Sequence, residues 1–504
     1  MTLNLAGTSA PLAASLPLLL PLLGGLAVLL CTVSGPASVP VVGHGRHLLA
    51  IAVLALAGGA LALLYNGNAH AFGGSIAIDG VAQTFGVVTC LGAILCLLVA
   101  MPYLEEHDLA AGEFFALVLL ATVGALTVIC GQDLLALFLG VELMSIAAYV
   151  LAGFRRALRR SQEAALKYFM YGAFASAVMV FGMALVWGEI GLSQESASLR
   201  FDALARAAQV GPTGFGLLGW LGASMLLSGM AFKVAAVPFH MWAPDVYEGA
   251  PTPSAAYLSV VVKTAAFAGL SRLLVAIFAS GHRDVETTTQ VIELLAIGSM
   301  LVGNLVAVRQ TQIKRMLAYS SISHAGYVLT GLCAIPHGRP GPTLAAVAFY
   351  LCGYAAAAIG AFAVVLAFER ADDRRVDLHL DRLTGAAKSH PGLGVAMAIF
   401  MLSLAGIPPA AGFAGKVGLL GEALGAGRVM VVLVAVATSV VGAFYYLRVL
   451  SVMFMGEARQ QTQPLDSPWL AWALWLCGGL TLFLGLFPNV FYSFAREALA
   501  SFPG

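Results

Sequence analysis

"AFKVAAVPFHMW", residues 231–242, sets a lysine inside an apolar run and closes the run with Pro238 and His240. Its setting decides what it is. Of 504 residues, 60% are hydrophobic and only 10% charged, against about 45–50% and about 25% in soluble domains. Apolar stretches of about 20 residues, each enough to cross a hydrocarbon core of roughly 30 Å as a helix, recur along the whole chain. The sequence therefore predicts an all-α polytopic membrane protein, and the quoted stretch is a spanning helix that carries a cation and then breaks. Pro238 removes a backbone donor and clashes with the preceding turn. Freed carbonyls at membrane depth are tolerated only where protein or water meets them.

Reading outward by hydropathy gives about fourteen spans, centred near residues 23, 55, 92, 121, 144, 176, 226, 266, 299, 324, 356, 407, 440 and 480. The N-terminal stretch has an apolar core but no Lys or Arg before Arg46. It lacks the charged region of a cleavable signal peptide and is expected to be the first span. Three connections are long: 189–214, with the amphipathic piece "LRFDALARAAQ"; 238–252, rich in Pro and Gly; and the charged stretch 369–391.

Loop cations set the orientation. Arg46, the four arginines of 155–160, Arg309, Lys314, Arg315, the cations between 370 and 388, Arg448 and Arg459 fall on one side. The other side has only Arg200, Arg206, Arg283, Arg339, Arg428 and Arg496. The positive-inside rule then puts both termini on the outer, periplasmic face.

Lys167, Lys233, Lys263, Arg272 and Lys416 remain inside spans. A charge at the bilayer centre costs about 2.5–3.5 kcal/mol on insertion scales, so such residues face protein or water and mark ion pathways. Glu142, in "FLGVELMSIAAYVL", is their acidic counterpart. Lys167 sits a few residues inside its span and reads equally as a snorkelling lysine; Arg272 reads as snorkelling or pairing. Lys233, Lys263 and Lys416 are flanked by apolar residues on both sides and are expected to serve transport. His240, after Pro238, and His324, in "LAYSSISHAGYVL", titrate near neutral pH and would bridge proton-transfer gaps, although a lone buried histidine is often only a hydrogen-bonded core residue.

A second break, "LAGIPPAAGFAGK" (404–416), again places prolines beside a lysine. The broken helices lie five spans apart and so run in opposite directions, the pattern of inverted-topology repeats. Other chemistries find no support. The seven cysteines form no C-x-x-C pair and read as small buried hydrophobes, which argues against iron–sulfur ligation. "GLG" (392–394) lacks the third glycine of a dinucleotide fold, and "GFAGKV" lacks phosphate-loop spacing. No His, Cys and carboxylate cluster has metal-ligand spacing. A net charge of +1 gives no sign of nucleic-acid binding.

The stretches "GQDLLALFLGVELMSIAAYVLAGF" (131–154), "EAALKYFMYGAFASA" (163–177), "FKVAAVPFHMWAPDVYEGAPTPSAAYLSVVVKTAAF" (232–267), "QIKRMLAYSSISHAGY" (312–327) and "LSLAGIPPAAGFAGK" (402–416) resemble the antiporter-like membrane subunits of respiratory complex I, the NADH:quinone oxidoreductase. The segment around "VPFHMWAPDVYEGAPTP" is most similar to the subunit N branch, and Lys416 stands where the M branch usually has glutamate. The resemblance implies fourteen transmembrane helices: N-terminal helices in 1–110, inverted five-helix repeats in 111–282 and 283–456, and a C-terminal helix in 457–504. It implies a proton-translocating subunit of the bacterial inner membrane, with Glu142 and Lys233 as a coupling ion pair, Lys167 as its modulator, Lys263 as central relay, Lys416 as terminal residue, and His240 and His324 in less defined roles. NADH, FMN, iron–sulfur clusters and quinone would be held by partner subunits, with no cofactor on this chain. Partners would be the sister antiporter-like and small membrane subunits. The rival reading is a subunit of a multi-subunit Na+/H+ antiporter.

Overall fold

Apolar helices dominate the computed structural model of the protein, which describes residues 6–34, 41–65, 67–193, 198–210, 215–278, 284–337, 340–369, 379–456 and 463–500. Helices α1 (Ala6–Ser34) and α2 (Val41–Tyr65) lead to a small antiparallel hairpin, His70–Ala71 against Ile76–Ala77. Then come α3 (Gly80–Glu106), α4 (Ala111–Cys130), α5 (Leu134–Ala152), α6 (Arg159–Ser193) and the short α7 (Phe201–Val210). The first interrupted helix is α8 (Leu217–Lys233) with α9 (Trp242–Gly249). Next, α10 (Thr252–Tyr257) passes through a π-helical segment, Leu258–Val262, into α11 (Lys263–Phe278). They are followed by α12 (Asp284–Val308), α13 (Ile313–Leu332), α14 (Pro340–Ala367) and the four-residue α15 (Ala386–Ser389). The second interrupted helix is α16 (Pro391–Ala405) with α17 (Ala411–Gly425), and α18 (Val429–Met455), α19 (Pro468–Leu486) and α20 (Pro488–Leu499) close the chain.

Among the described residues, eleven helical segments are long and apolar enough to cross a membrane. Of the other three expected centres, 226 falls on α8 of the first interrupted pair, 407 in the break of the second, and 324 on α13, whose serines and histidine make it more polar. The expected C-terminal helix is two helices, because Pro488 cannot continue the hydrogen-bond ladder of α19. The termini, Arg283, Arg339, Arg370, Arg374, Arg375 and Arg459 lie outside the described residues.

The core is built on α14, buried along its whole spanning length, and on the α10–α11 segment, which is nearly so. Around them α1, α2, α6, α18 and α19 turn large apolar side chains outward, among them Val33, Leu54, Phe174, Val440 and Trp475. Such a girdle suits lipid or neighbouring membrane chains. Six cysteines are buried; Cys31, near the end of α1, is exposed.

Small residues set the closest helix approach. A Cβ built on Gly124 of α4 would lie 2.4 Å from the backbone nitrogen of Met144, and one on Gly140 of α5 would lie 2.7 Å from that of Val128. The two glycines let α4 and α5 meet backbone to backbone and so fix the helix that carries Glu142. Gly124→Ala is therefore expected to push α5 outward at a cost of about 1–3 kcal/mol or more, and Gly188→Ala, where nothing lies within 4 Å, to be neutral. Thermal unfolding of the two purified variants checks the contrast.

At the cation-poor end, Asp79 caps α3 by accepting from the backbone N–H of Ala82 at 2.9 Å. It also receives both guanidinium nitrogens Nη1 and Nη2 of Arg272, each at 2.7 Å, and the amide of Gln132 at 3.1 Å. Arg272, inside α11 and 4% exposed, further donates Nε–H to the carbonyl of Ile129 at 2.8 Å. The intramembrane arginine is thus a paired one, tying α11 to the start of α3 and the end of α4. Burial alone would push the Asp79 carboxyl up, but the guanidinium and the Ala82 and Gln132 donors hold it below its ordinary value.

Candidate functional site

The first break begins earlier than Pro238. Lys233 is the last residue of α8, Ala235 adopts a left-handed conformation with φ of +57°, and helix resumes at Trp242. The indole N–H of Trp242 donates to the carbonyl of Phe232 at 3.0 Å and stitches the two halves together. The lysine at residue 233 thus sits at the carbonyl end of a helix, where the macrodipole favours a cation.

In the second break Gly406, with φ of +83°, ends α16, and α17 starts at Ala411. Lys416 lies past that break, yet its Nζ turns back to donate to the carbonyls of Ala405 at 3.0 Å and Leu404 at 3.5 Å. The prolines stand after one lysine and before the other, but both interruptions place a lysine at the carbonyl end of the leading half-helix, Lys233 as its last residue and Lys416 by its amine. This is the physical reason for a cation beside a break: the interruption leaves about half a unit of negative charge inside the bundle.

Lys233 is 1% exposed and donates to the hydroxyl of Ser145 at 2.7 Å. Glu142, one turn earlier on α5, accepts instead from the hydroxyl of Ser176 on α6. Among the described residues Glu142 and Lys233 make no direct ion pair; they are linked through one turn of α5. Lys167 turns elsewhere, to Asp245 at 2.7 Å and Glu163 at 2.8 Å. His240 is half-buried beside the first break, and its Nδ1 has no hydrogen-bond partner among the described residues.

Lys263 opens α11 directly after the π-helical segment, a local widening found mostly at functional sites. Its Nζ donates to the carbonyl and the hydroxyl of Ser321, both at 2.5 Å. His324, one turn further along α13, has both ring nitrogens engaged, Nδ1 with Tyr350 at 2.5 Å and Nε2 with Tyr446 at 3.0 Å. The Tyr446 hydroxyl also meets that of Ser320 at 2.5 Å. Lys416 lies 4.6 Å from the ring centroid of Tyr327, and the rings of Tyr327 and His324 are 5.9 Å apart.

Two groups emerge. Lys263, Lys416 and His324 converge on α13 and its serine and tyrosine neighbours, whereas Glu142, Ser145, Ser176 and Lys233 form a separate group between α5, α6 and α8. Lys233, Lys263 and Lys416 share no hydrogen-bond partner among the described residues. The serines and tyrosines went unread in the sequence because a serine in an apolar helix looks like small packing and a tyrosine like core. The helical spacing of Glu142 and Ser145 could have suggested the first of them. The arrangement can hold several ionisable groups within one apolar interior, Lys233, Lys263 and Glu142 on serine hydroxyls and Lys416 on backbone carbonyls.

Residues 131–442 match the family described as NADH:quinone oxidoreductase/Mrp antiporter, TM. The chain is 44% identical over 399 residues to the NADH-quinone oxidoreductase subunit N of Rhodospirillum rubrum, covering 79% of this chain and 78% of that one. It is 40% identical over 474 residues to NADH-quinone oxidoreductase subunit N 1 of Sorangium cellulosum, covering 93% and 92%. In structure it is similar to a chain of respiratory complex I from Thermus thermophilus, with a TM-score of 0.77, 34% identity, and 95% and 98% of the two chains covered. A chain of the Mrp complex from Dietzia sp. DQ12-45-1b shares the fold, with a TM-score of 0.78, 21% identity and 97% of each chain covered.

Proposed function

The chain belongs to the NADH:quinone oxidoreductase/Mrp antiporter family of membrane subunits, and from that premise we propose that it is the proton-translocating subunit N of a bacterial NADH:quinone oxidoreductase. The observation that carries the reading is the set of three lysines, Lys233, Lys263 and Lys416, each at most 8% exposed in an apolar bundle and two of them seated at helix interruptions. Burying a charge this way is expensive; serine hydroxyls, free carbonyls and an aromatic face offset the expense without locking the amines in ion pairs.

In this reading quinone reduction elsewhere in the complex alters the field at Glu142. Withdrawing that negative charge from the low-dielectric interior favours release of a proton by Lys233. Lys263 takes it up and delivers it, through Ser321, Ser320, Tyr446 and His324, toward Lys416. His240 serves the first break, and Lys167 acts as a modulator from its place on Asp245 and Glu163. Water or side-chain rotation bridges the intervals between the lysines. Redox chemistry belongs to the partners: NADH, FMN, iron–sulfur clusters and quinone are assigned to other subunits.

We further assign fourteen crossings, inverted repeats over 111–282 and 283–456 between N-terminal helices (1–110) and a C-terminal unit (457–504), and both termini on the periplasmic side of the inner membrane. The opposite directions of the two interrupted helices and the loop cations support this. Glu142 lies on the outward stripe of α5 with the exposed Leu135, Leu139 and Ile146, where a sister membrane subunit suits a carboxylate better than lipid.

Inside-out vesicles bearing Lys263→Met should keep assembled complex and lose NADH-driven proton uptake by about tenfold or more, the scale of one proton-transfer group. Uptake at the wild-type rate would remove the relay. Na+ counter-transport without NADH or quinone would instead favour the Na+/H+ antiporter alternative.

A further inference from the structure

Apart from the lysine groups, the cation-rich end of the bundle holds a chain of ion pairs across α6, α9 and α13. Asp245 on α9 sits at its centre. One carboxylate oxygen, Oδ2, takes Lys167 Nζ at 2.7 Å, and the other, Oδ1, takes Arg315 Nη1 at 2.8 Å. Each cation has a second carboxylate of its own: Glu163 for Lys167 at 2.8 Å and Glu248 for Arg315 at 2.7 Å. Among the described residues Asp245 alone is common to both.

That sharing allows the group a second arrangement. Lys167 can leave Asp245 without becoming an orphan charge, since Glu163 lies one turn away on its own helix and its side chain is 38% exposed. Arg315 stands in the first turn of α13, where the helix dipole disfavours a cation, so it depends on its carboxylates for its place. When Lys167 departs, the whole Asp245 charge falls to Arg315; when Lys167 returns, Arg315 shares it. Arg315 precedes Ser321 on one rigid helix by six residues, about 9 Å at 1.5 Å per residue, and Ser321 is the partner of Lys263. The adjacent Lys314 anchors the same turn to the carbonyl of Ala250 at 2.8 Å, just beyond α9.

We propose that Asp245 is a positioning residue that couples Lys167 in the first half of the chain to α13 in the second, by dividing its carboxylate between Lys167 and Arg315. It is a two-state element that both sides bias, as energetic coupling requires. The inference rests on the proton-relay reading above and adds to it a connection running along the cation-rich end.

The test measures NADH-driven proton uptake per assembled complex in inside-out vesicles. Asp245→Asn should lower uptake by about tenfold, within the usual span of coupling between two sites, and Asp245→Glu should restore most of it. In a Lys167→Met background, Asp245→Asn should add no further loss, because the carboxylate acts through that lysine. Loss factors that multiply would mark a mere strut and overturn the proposal, as would Asp245→Asn uptake within about twofold of wild type, below the usual span of coupling. If Asp245→Asn does not assemble, Arg315→Gln, which breaks the same link from the other side, should show the same dependence on Lys167, and its independence would overturn the proposal equally. Lys233→Met is run alongside. Normal uptake there sinks the relay itself, whereas its loss beside a normal Asp245→Asn sinks only the coupling.

Discussion

Lys233→Met should yield a complex that assembles at the wild-type level and oxidises NADH normally with a water-soluble acceptor, yet loses NADH:quinone turnover and proton uptake by about tenfold or more, each tenfold being about 1.36 kcal/mol of barrier. Methionine occupies much the same volume as lysine and needs no partner, so the 1%-exposed site stays filled. Ser145 loses the donor at 2.7 Å but keeps its own bond to the Val141 carbonyl. Glu142 keeps the Ser176 hydroxyl. No buried group is orphaned, which separates a transport defect from a folding defect. Turnover and uptake at wild-type rates would show that the amine is not on the route.

Asp79→Asn and Arg272→Met should both destabilise the protein, and the first more than the second. Removing one partner of a buried ion pair costs about 3–5 kcal/mol because the other charge stays behind. Arg272→Met leaves a carboxylate whose side chain is 25% exposed, which still caps α3 and can protonate. Asp79→Asn leaves a guanidinium with a side chain only 3% exposed, and arginine does not deprotonate in proteins. Melting temperatures of the purified complexes would show the order, and equal values would refute it.

The same pair predicts a pH dependence. Because the folded Asp79 carboxyl is held below its ordinary value, the pair contributes fully above the unfolded aspartate value of about 3.9. The contribution is lost as pH falls from there through the depressed folded value. The melting-temperature gap between wild type and Arg272→Met should therefore close as pH falls through the acid range, starting where the unpaired carboxyl of the variant protonates and ending at the depressed value of the wild type. A gap that narrows toward alkaline pH would contradict the pairing.

Composition and charge placement by themselves determined the membrane class, the two breaks and which cations lie inside spans, because hydrocarbon makes any buried charge or freed carbonyl so costly that its position in the sequence is already informative. Thirteen of the fourteen expected centres fall on helices for the same reason, and the one near residue 407 falls in the second break. What only the tertiary structure decided is whom each charge meets. Glu142 and Lys233 read as a direct pair, but α5 and α8 approach so that Ser145 takes the amine. Lys167 read as a neighbour of Glu142, yet it points to Asp245, a residue of the second half-helix that hydropathy passes over. Lys416 follows its prolines in sequence but folds back to the carbonyls before them. Partner choice depends on helix rotation and on approach distances of a few ångströms, and contacts such as Gly124 against Gly140 set these between segments that no local pattern relates.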